Sequence, residues 1–189
     1  EGTTTKYKVT VDSGVTANIT LDGVSIDVSG TSGACAFDMT GATVNLTLIG
    51  ENTLKSGSSK AGLQCPDGAA LTIADGTEDD SGSLTAAGGG SGAGIGGGVY
   101  ESGGSITING GTVTATGGRY GAGLGGGYDG SGGTVTISGG EVAATGGIGG
   151  TGIGGGDGNN NNSGNIHGGD GGTVIISGGT VTATGGQYS

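Results

Sequence analysis

From residue 92 onward a single unit recurs, and a repeat restricts the fold of a chain more than any one motif does. Ile106-Thr107-Ile108-Asn109-Gly110-Gly111 runs into Thr112-Val113-Thr114-Ala115-Thr116-Gly117-Gly118. The pair returns as residues 135–140 with 141–147, and again as 174–179 with 180–186. A third, glycine-rich element alternates with these pairs: Gly92-Ala93-Gly94-Ile95-Gly96-Gly97-Gly98, then 121–127, then 150–156. The N-terminal part carries the same unit with less glycine, in Ile19-Thr20-Leu21-Asp22-Gly23, Leu46-Thr47-Leu48-Ile49-Gly50 and Leu71-Thr72-Ile73-Ala74-Asp75. Starts at Ile19, Leu46, Leu71, Ile106, Val135 and Val174 are spaced 27, 25, 35, 29 and 39 residues apart. Residues 51–54 fit the second-strand pattern poorly.

A unit of roughly 25–29 residues holding three short runs of period-2 alternation is what a coil of a parallel β-solenoid requires. The alternation places Ile106, Ile108, Val113 and Ala115 inside. The Gly-Gly pairs supply corners of positive φ, which β-branched residues resist. The expected fold is therefore all-β: one domain over residues 1–189, a single-stranded right-handed parallel β-helix of about six coils of three short strands. Its coils are less glycine-rich over 1–74 and of the Gly-Ala-Gly-Ile type over 75–189. The Gly-Ala-Gly-Ile element should form a flat face nearly free of outward side chains, which another backbone could approach closely. Two insertions swell corners, Asp75 to Gly82 and Asp157 to Asp170, the latter containing Asn159 to Asn162 and the sole histidine, His167.

Composition agrees with this reading and removes its competitors. Glycine supplies 54 of 189 residues, but collagen needs glycine at every third position with abundant proline, and Pro66 stands alone. Disordered linkers lack the recurring Val, Ile, Leu and Thr. The net charge of −11 sets 16 acids against Lys6, Lys8, Lys55, Lys60 and Arg119, so clustered phosphate contacts and nucleic acid are not expected. No run approaches about 18 apolar residues, so no membrane insertion is expected. No signal peptide is visible; Glu1-Gly2-Thr3 begins polar, as a trimmed N-terminus would. Cys35 and Cys65 either bridge neighbouring coils or serve as two buried thiols.

From Asn18 to Ile73 and on through the glycine coils, the chain resembles the glycine-rich β-helix proteins of gut Firmicutes cell surfaces described as carbohydrate-binding. Residues 34–39 and 46–57, Leu46-Thr47-Leu48-Ile49-Gly50-Glu51-Asn52-Thr53-Leu54-Lys55-Ser56-Gly57, carry the resemblance best. It covers nearly the whole chain and implies a right-handed parallel β-helix, an extracellular, cell-surface location, and adhesion or polysaccharide binding. It transfers no ligand residues.

β-Helices also host polysaccharide-cleaving enzymes, whose chemistry needs paired carboxylates with a basic partner. Asp79-Asp80 and His167-Gly168 superficially match a hydrolase pattern but lie in different insertions, and no Arg-x-Lys strand accompanies them. No enzyme is expected. Calcium-binding solenoids place Asp in a nine-residue glycine repeat, whereas the matching position here is Gly. Asp157 and Asp170, with the Asn159 to Asn162 carbonyls, are the remaining candidates for an irregular Ca²⁺ cage; otherwise no cofactor is expected.

The few aromatic residues fall at repeating places. Tyr120 and Tyr188 share a register after Gly-Gly, while Tyr100 and Tyr128 follow the Gly-Gly-Gly turn. Such rings at coil corners offer sugars an apolar face with a polar tip, and Glu101, Arg119 and Asp129 lie near enough to meet hydroxyls. Tyr100, Tyr120, Tyr128, Tyr188 and Arg119 are the candidate ligand-binding residues. The alternative is that stacked tyrosines merely cover glycine-rich corners. Outward threonines in residues 112–116 and 180–184 resemble ice-binding arrays, but Glu141 and Ala143 break the rows.

The expected function is a non-catalytic surface adhesion or binding module for a complex polysaccharide. The alternatives are a structural stalk or self-assembling fibre element and, at a distance, an ice-binding solenoid. Gln187-Tyr188-Ser189 aligns with Arg119-Tyr120-Gly121, so the next Gly-Ala-Gly-Ile element is expected beyond it. The chain thus reads as a piece of a longer array or as one whose ends pair with other copies, and end-to-end self-association is expected.

Overall fold

The computed structural model describes residues 2–4, 6–77, 81–160 and 166–187. Three parallel sheets wrap a single core. The first face stacks Gly2–Thr4, Val24–Asp27, Glu51–Lys55, Ser83–Ala87, Thr112–Thr116, Glu141–Thr145 and Thr180–Thr184. The second stacks two-residue strands at Val9–Thr10, Phe37–Asp38, Leu63–Gln64, Ile95–Gly96, Leu124–Gly125 and Ile153–Gly154. The third stacks Thr16–Asp22, Thr43–Ile49, Ala70–Asp75, Ser105–Ile108, Thr134–Ile137 and Thr173–Ile176. Each coil visits the second, third and first faces in turn, so the described residues form six coils, preceded by Gly2–Thr4 on the first face. This is the parallel β-solenoid that the repeat implies.

Alternation fixes which side chains enter. Ile106, Ile108, Val113 and Ala115 are fully buried, as the period-2 pattern requires. Because every strand pairs in register with its copy, like residues form ladders through the core. One runs Ile19, Leu46, Ile73, Ile108, Ile137, Ile176, and another Ala17, Val44, Leu71, Ile106, Val135, Val174. Each fully buried Ile or Leu contributes roughly 1.5–3 kcal/mol over leaving it exposed. On the first face the ladder Ile26, Leu54, Ala86, Ala115, Ala144, Ala183 shrinks after its second rung. With Phe37, Met39 and Leu48 also fully buried, the bulkiest packing lies in the N-terminal coils. In the last described coil Val174 and Ile176 are 41% and 53% exposed.

The structure corrects one alignment. Leu46 pairs with Ile73, and Val44 with Leu71, so the third-face spacing there is 27 residues rather than 25. Thr16–Asp22 and Thr43–Ile49 are seven residues long with three inward apolar positions each, whereas Ser105–Ile108 has two. A slide of two residues keeps every apolar side chain inside, so pattern alone does not choose between the alignments. Glu51–Lys55 does form the expected strand, and its poor match traces to Asn52. Asn52 occupies a rung between Val24 and Leu84 and is buried. Its Oδ1 accepts from the Val24 amide at 2.9 Å, while its Nδ2 donates to the Ile49, Gly50 and Ser83 carbonyls at 3.1, 3.3 and 3.0 Å. A buried amide with its polar atoms paired costs little.

Glycine is required in two ways. At the corners between third and first faces, Gly111, Gly140 and Gly179 hold φ of 79°, 79° and 80°, the left-handed region where a side chain is strained. In the glycine run the cause is contact. A Cβ on Gly94 would sit 2.6 Å from the Gly123 carbonyl oxygen, and one on Gly123 would sit 2.6 Å from that of Gly152. The close backbone approach expected at the glycine run is present, and the run is covered rather than exposed. Residues 92–98 and 121–127 are buried, covered partly by the turn that follows. A Cβ on Gly97 would strike the Glu101 carbonyl, and one on Gly126 that of Gly130.

The larger insertion leaves the solenoid undisturbed. Asn159–Asn160 and Ile166–His167 pair antiparallel with each other. Gly169 then returns to donate to the Gly156 carbonyl at 3.1 Å, resuming the coil. The corner at Asp75 is closed by its own carboxylate, which accepts from the Thr77 amide and hydroxyl and, at 2.8 Å, from the Gly82 amide. Asp79 and Asp80 lie outside the described residues.

The packing account makes Gly123→Ala and Gly30→Ala unequal. A Cβ at Gly30 meets nothing within 4 Å. Chemical denaturation should show Gly123→Ala losing about 3 kcal/mol and Gly30→Ala changing by less than about 0.5 kcal/mol. Equal effects would contradict the close approach.

Candidate functional site

Two turns meet along one ridge of the solenoid. One leaves the first face at Gly117 to Gly121; the other leaves the second face after Gly98 and, one coil on, after Gly127. Main-chain hydrogen bonds weave them together. The Tyr128 amide donates to the Ser91 carbonyl at 2.8 Å, and the Asp157 amide to the Tyr120 carbonyl at 2.8 Å. The Tyr100 amide donates to the Tyr128 carbonyl at 2.8 Å, and the Asp129 amide to the Asp157 carbonyl at 2.7 Å. Gly96 pairs with Gly125, which puts Tyr100 level with Asp129 and Val99 level with Tyr128. Tyr100 and Asp129 both take left-handed φ, 63° and 59°. Tyr100 and Tyr128 thus hold successive register positions on adjacent coils.

The side chains converge. The Tyr100 and Tyr128 ring centroids are 5.7 Å apart at an interplanar angle of 61°, and those of Tyr120 and Tyr128 are 5.5 Å apart at 54°. Both separations fall in the range of favourable edge-to-face or tilted contacts. The Arg119 guanidinium lies 4.9 Å from the Tyr120 centroid, a cation–π distance. Tyr100 is 70% exposed, while Tyr120 and Tyr128 are half-buried, so the cluster faces solvent. Partial burial, then the carboxylate of Asp129 and the charges of Tyr100 and Asp157, push the Tyr128 phenol above its usual value. Its hydroxyl therefore stays a protonated donor at neutral pH.

Four of the five tyrosine-corner candidates are thus brought together: Tyr100, Tyr120, Tyr128 and Arg119. Tyr188 lies outside the described residues. Glu101 is committed elsewhere. Its Oε2 accepts from Gln64 Nε2 at 2.7 Å and from the Gly98 amide at 2.9 Å, so it closes the turn below the rings. Gln64 is itself buried and accepts from the Ala61 amide through Oε1 at 3.3 Å. This Gln–Glu bridge was not legible in the sequence, because its partners lie 37 positions apart with no motif between them. The meeting of Tyr100 with Tyr128 was within reach, since a coil spacing of 29 residues brings those two turns onto adjacent coils at successive register positions.

The metal candidates do not gather. Among the described residues no three His, Cys, Asp or Glu side chains cluster. Asp157 Oδ1 accepts from the Gly158 amide at 2.8 Å, and the Asp170 amide donates to Ser131 Oγ at 3.2 Å. Asn161 and Asn162 lie outside the described residues. The threonine rows are interrupted as expected, since Thr112 pairs with Glu141 and Thr114 with Ala143, although Thr116, Thr145 and Thr184 are continuous.

Cys35 and Cys65 are both free and buried. Phe37 pairs with Leu63, so the two cysteines are four register positions apart, about 13 Å along the strand direction and beyond disulfide reach. Burial raises both thiols, Cys35 to about 11, with Asp38 adding to the effect, and Cys65 to about 12. Comparison with known protein families, curated proteins and solved structures finds no match.

The thiols give a pH signature. Unfolded, they ionise near their ordinary value of 9.0; folded, they ionise near 11 and 12. Their contribution is complete below pH 9.0 and declines as pH rises toward the folded values. Denaturation midpoints should fall from pH 9 to pH 11, and Cys35→Ala with Cys65→Ala should flatten that fall. An equally steep decline in the double variant would contradict the assignment.

Proposed function

We propose that this chain is a non-catalytic binding module of a cell-surface protein, and that the tyrosine ridge holds a complex polysaccharide. The supporting observation is the convergence of Tyr100, Tyr120 and Tyr128 from two turns on consecutive coils into one solvent-facing cluster. Rings held by contact with each other lose little freedom on binding, and each presents an apolar face beside a hydroxyl. Sugars have that same mixture of C–H faces and hydroxyl rims. Arg119, stacked on Tyr120, supplies guanidinium donors at the edge. The solenoid acts as a stiff mount, since the ring-bearing turns are tied at both ends by inter-coil hydrogen bonds. Resemblance to the carbohydrate-binding β-helix proteins of bacterial surfaces points the same way, and with it an extracellular location.

A structural stalk is the competing reading, in which the rings only shield the glycine turns. Glycan-array screening followed by titration of the best ligand separates the two. Tyr120→Ala with Tyr128→Ala should weaken binding by about tenfold or more, equivalent to losing one or two aromatic contacts. The melting temperature should move by only a few degrees, because the turns are held by main-chain bonds. Undiminished binding in the double variant would refute the site, and no glycan bound by the parent chain would refute the function.

A further inference from the structure

We propose that the polysaccharide held at the tyrosine ridge carries free amino groups, bound as ammonium ions against the tyrosine rings and the carboxylates of Asp129 and Asp157. This deepens the reading above and rests on it. Three observations bear on the charge of the ligand.

First, the rings are not coplanar. Interplanar angles of 61° and 54° turn Tyr100 and Tyr120 away from the plane of Tyr128. A run of neutral sugars lying flat needs a continuous plane, whereas inclined rings around a central one present several π faces to a compact group. A cation is the compact group that π faces attract. Second, the ridge already holds one, the Arg119 guanidinium over Tyr120. That contact is made by a tethered side chain and leaves Tyr100, the most exposed ring, uncovered by it.

Third, two aspartates stand beside the ring-bearing positions in the register. Asp129 follows Tyr128 directly and stands level with Tyr100, while Asp157 stands level with Tyr128 on the next coil. The two are tied through the Asp129 amide and Asp157 carbonyl, so they keep a fixed relation to the rings. After burial, the charges of Asp129 and Asp157 push the Tyr128 phenol upward, in keeping with that register placement. The wider surface agrees in sign. Residues 61–189 contain ten Asp and Glu against Arg119 alone, a net charge of −9. Such a field repels uronic acid polymers and attracts polyamines or deacetylated hexosamine chains.

The test is titration calorimetry of the chain with three oligosaccharides of equal length: glucosamine, N-acetylglucosamine and galacturonic acid oligomers. The glucosamine oligomer should bind about tenfold tighter than its acetylated counterpart, the gain expected of two partly exposed charge pairs together with cation–π contact. Asp129→Asn with Asp157→Asn, which keeps shape and hydrogen-bonding capacity, should erase most of that preference. Added salt and a pH high enough to neutralise the amines should do the same. Equal or tighter binding of the acetylated or the acidic oligomer, lost with Tyr120→Ala and Tyr128→Ala, would overturn the cationic assignment while leaving a sugar site at the ridge. A preference that survives the aspartate substitutions would overturn it as well. Binding of none of the three, with none found on a broad glycan array, would overturn the polysaccharide reading itself.

Discussion

Coil-to-coil main-chain hydrogen bonding sets the spacing on which everything else in this molecule depends. Where the coils approach at the glycine run, the Gly94 amide reaches the Ala122 carbonyl at 3.0 Å and the Gly123 amide reaches Thr151 at 3.0 Å. A Cβ at either glycine would lie inside the contact distance of the next coil's carbonyl. Glycine is thus a packing requirement here rather than a source of flexibility. The entropic cost of ordering it, roughly 0.5–1 kcal/mol per residue relative to Ala, is offset by hydrogen bonds that recur at every coil and by the aliphatic ladders alongside.

The interior changes along the molecule: the N-terminal coils fill it with Leu, Phe and Met, and later coils place Ala on the first face. Because successive coils stack at main-chain hydrogen-bonding distance, turns on them lie within ring contact of each other. Tyr100, Tyr120 and Tyr128 meet because Tyr120 sits in one turn and the other two in the neighbouring turns of two successive coils. The tyrosine ridge is therefore a product of the stacking, and its geometry is as fixed as the ladder beneath it.

Most of the fold was legible in the sequence, because period-2 alternation and a recurring coil length are direct consequences of the architecture. Ile106, Ile108, Val113 and Ala115 went where the alternation sends them. The alignment of Leu46 was missed by two residues, since such a slide preserves which side chains are buried and only corner length distinguishes the choices. Asn52 obscured its strand because a polar residue on an apolar rung breaks the pattern, while its four hydrogen bonds are visible only in three dimensions. Close approach of another backbone to the glycine face was expected, but which segment approaches was not legible: the turn at Glu101 folds back over it, and no residue pattern announces that return. At the candidate site, register gave the tyrosines, but the diversion of Glu101 to Gln64 depended on side-chain contacts that spacing does not encode.

Native-state hydrogen exchange resolved by residue tests the central claim most directly. If glycine is held by the inter-coil ladder, the amides of Gly94 and Gly123 should exchange as slowly as those of Ile106 and Val135, and far more slowly than an unstructured peptide. Exchange of the glycine-run amides at near free-peptide rates, with the strand amides still protected, would contradict it.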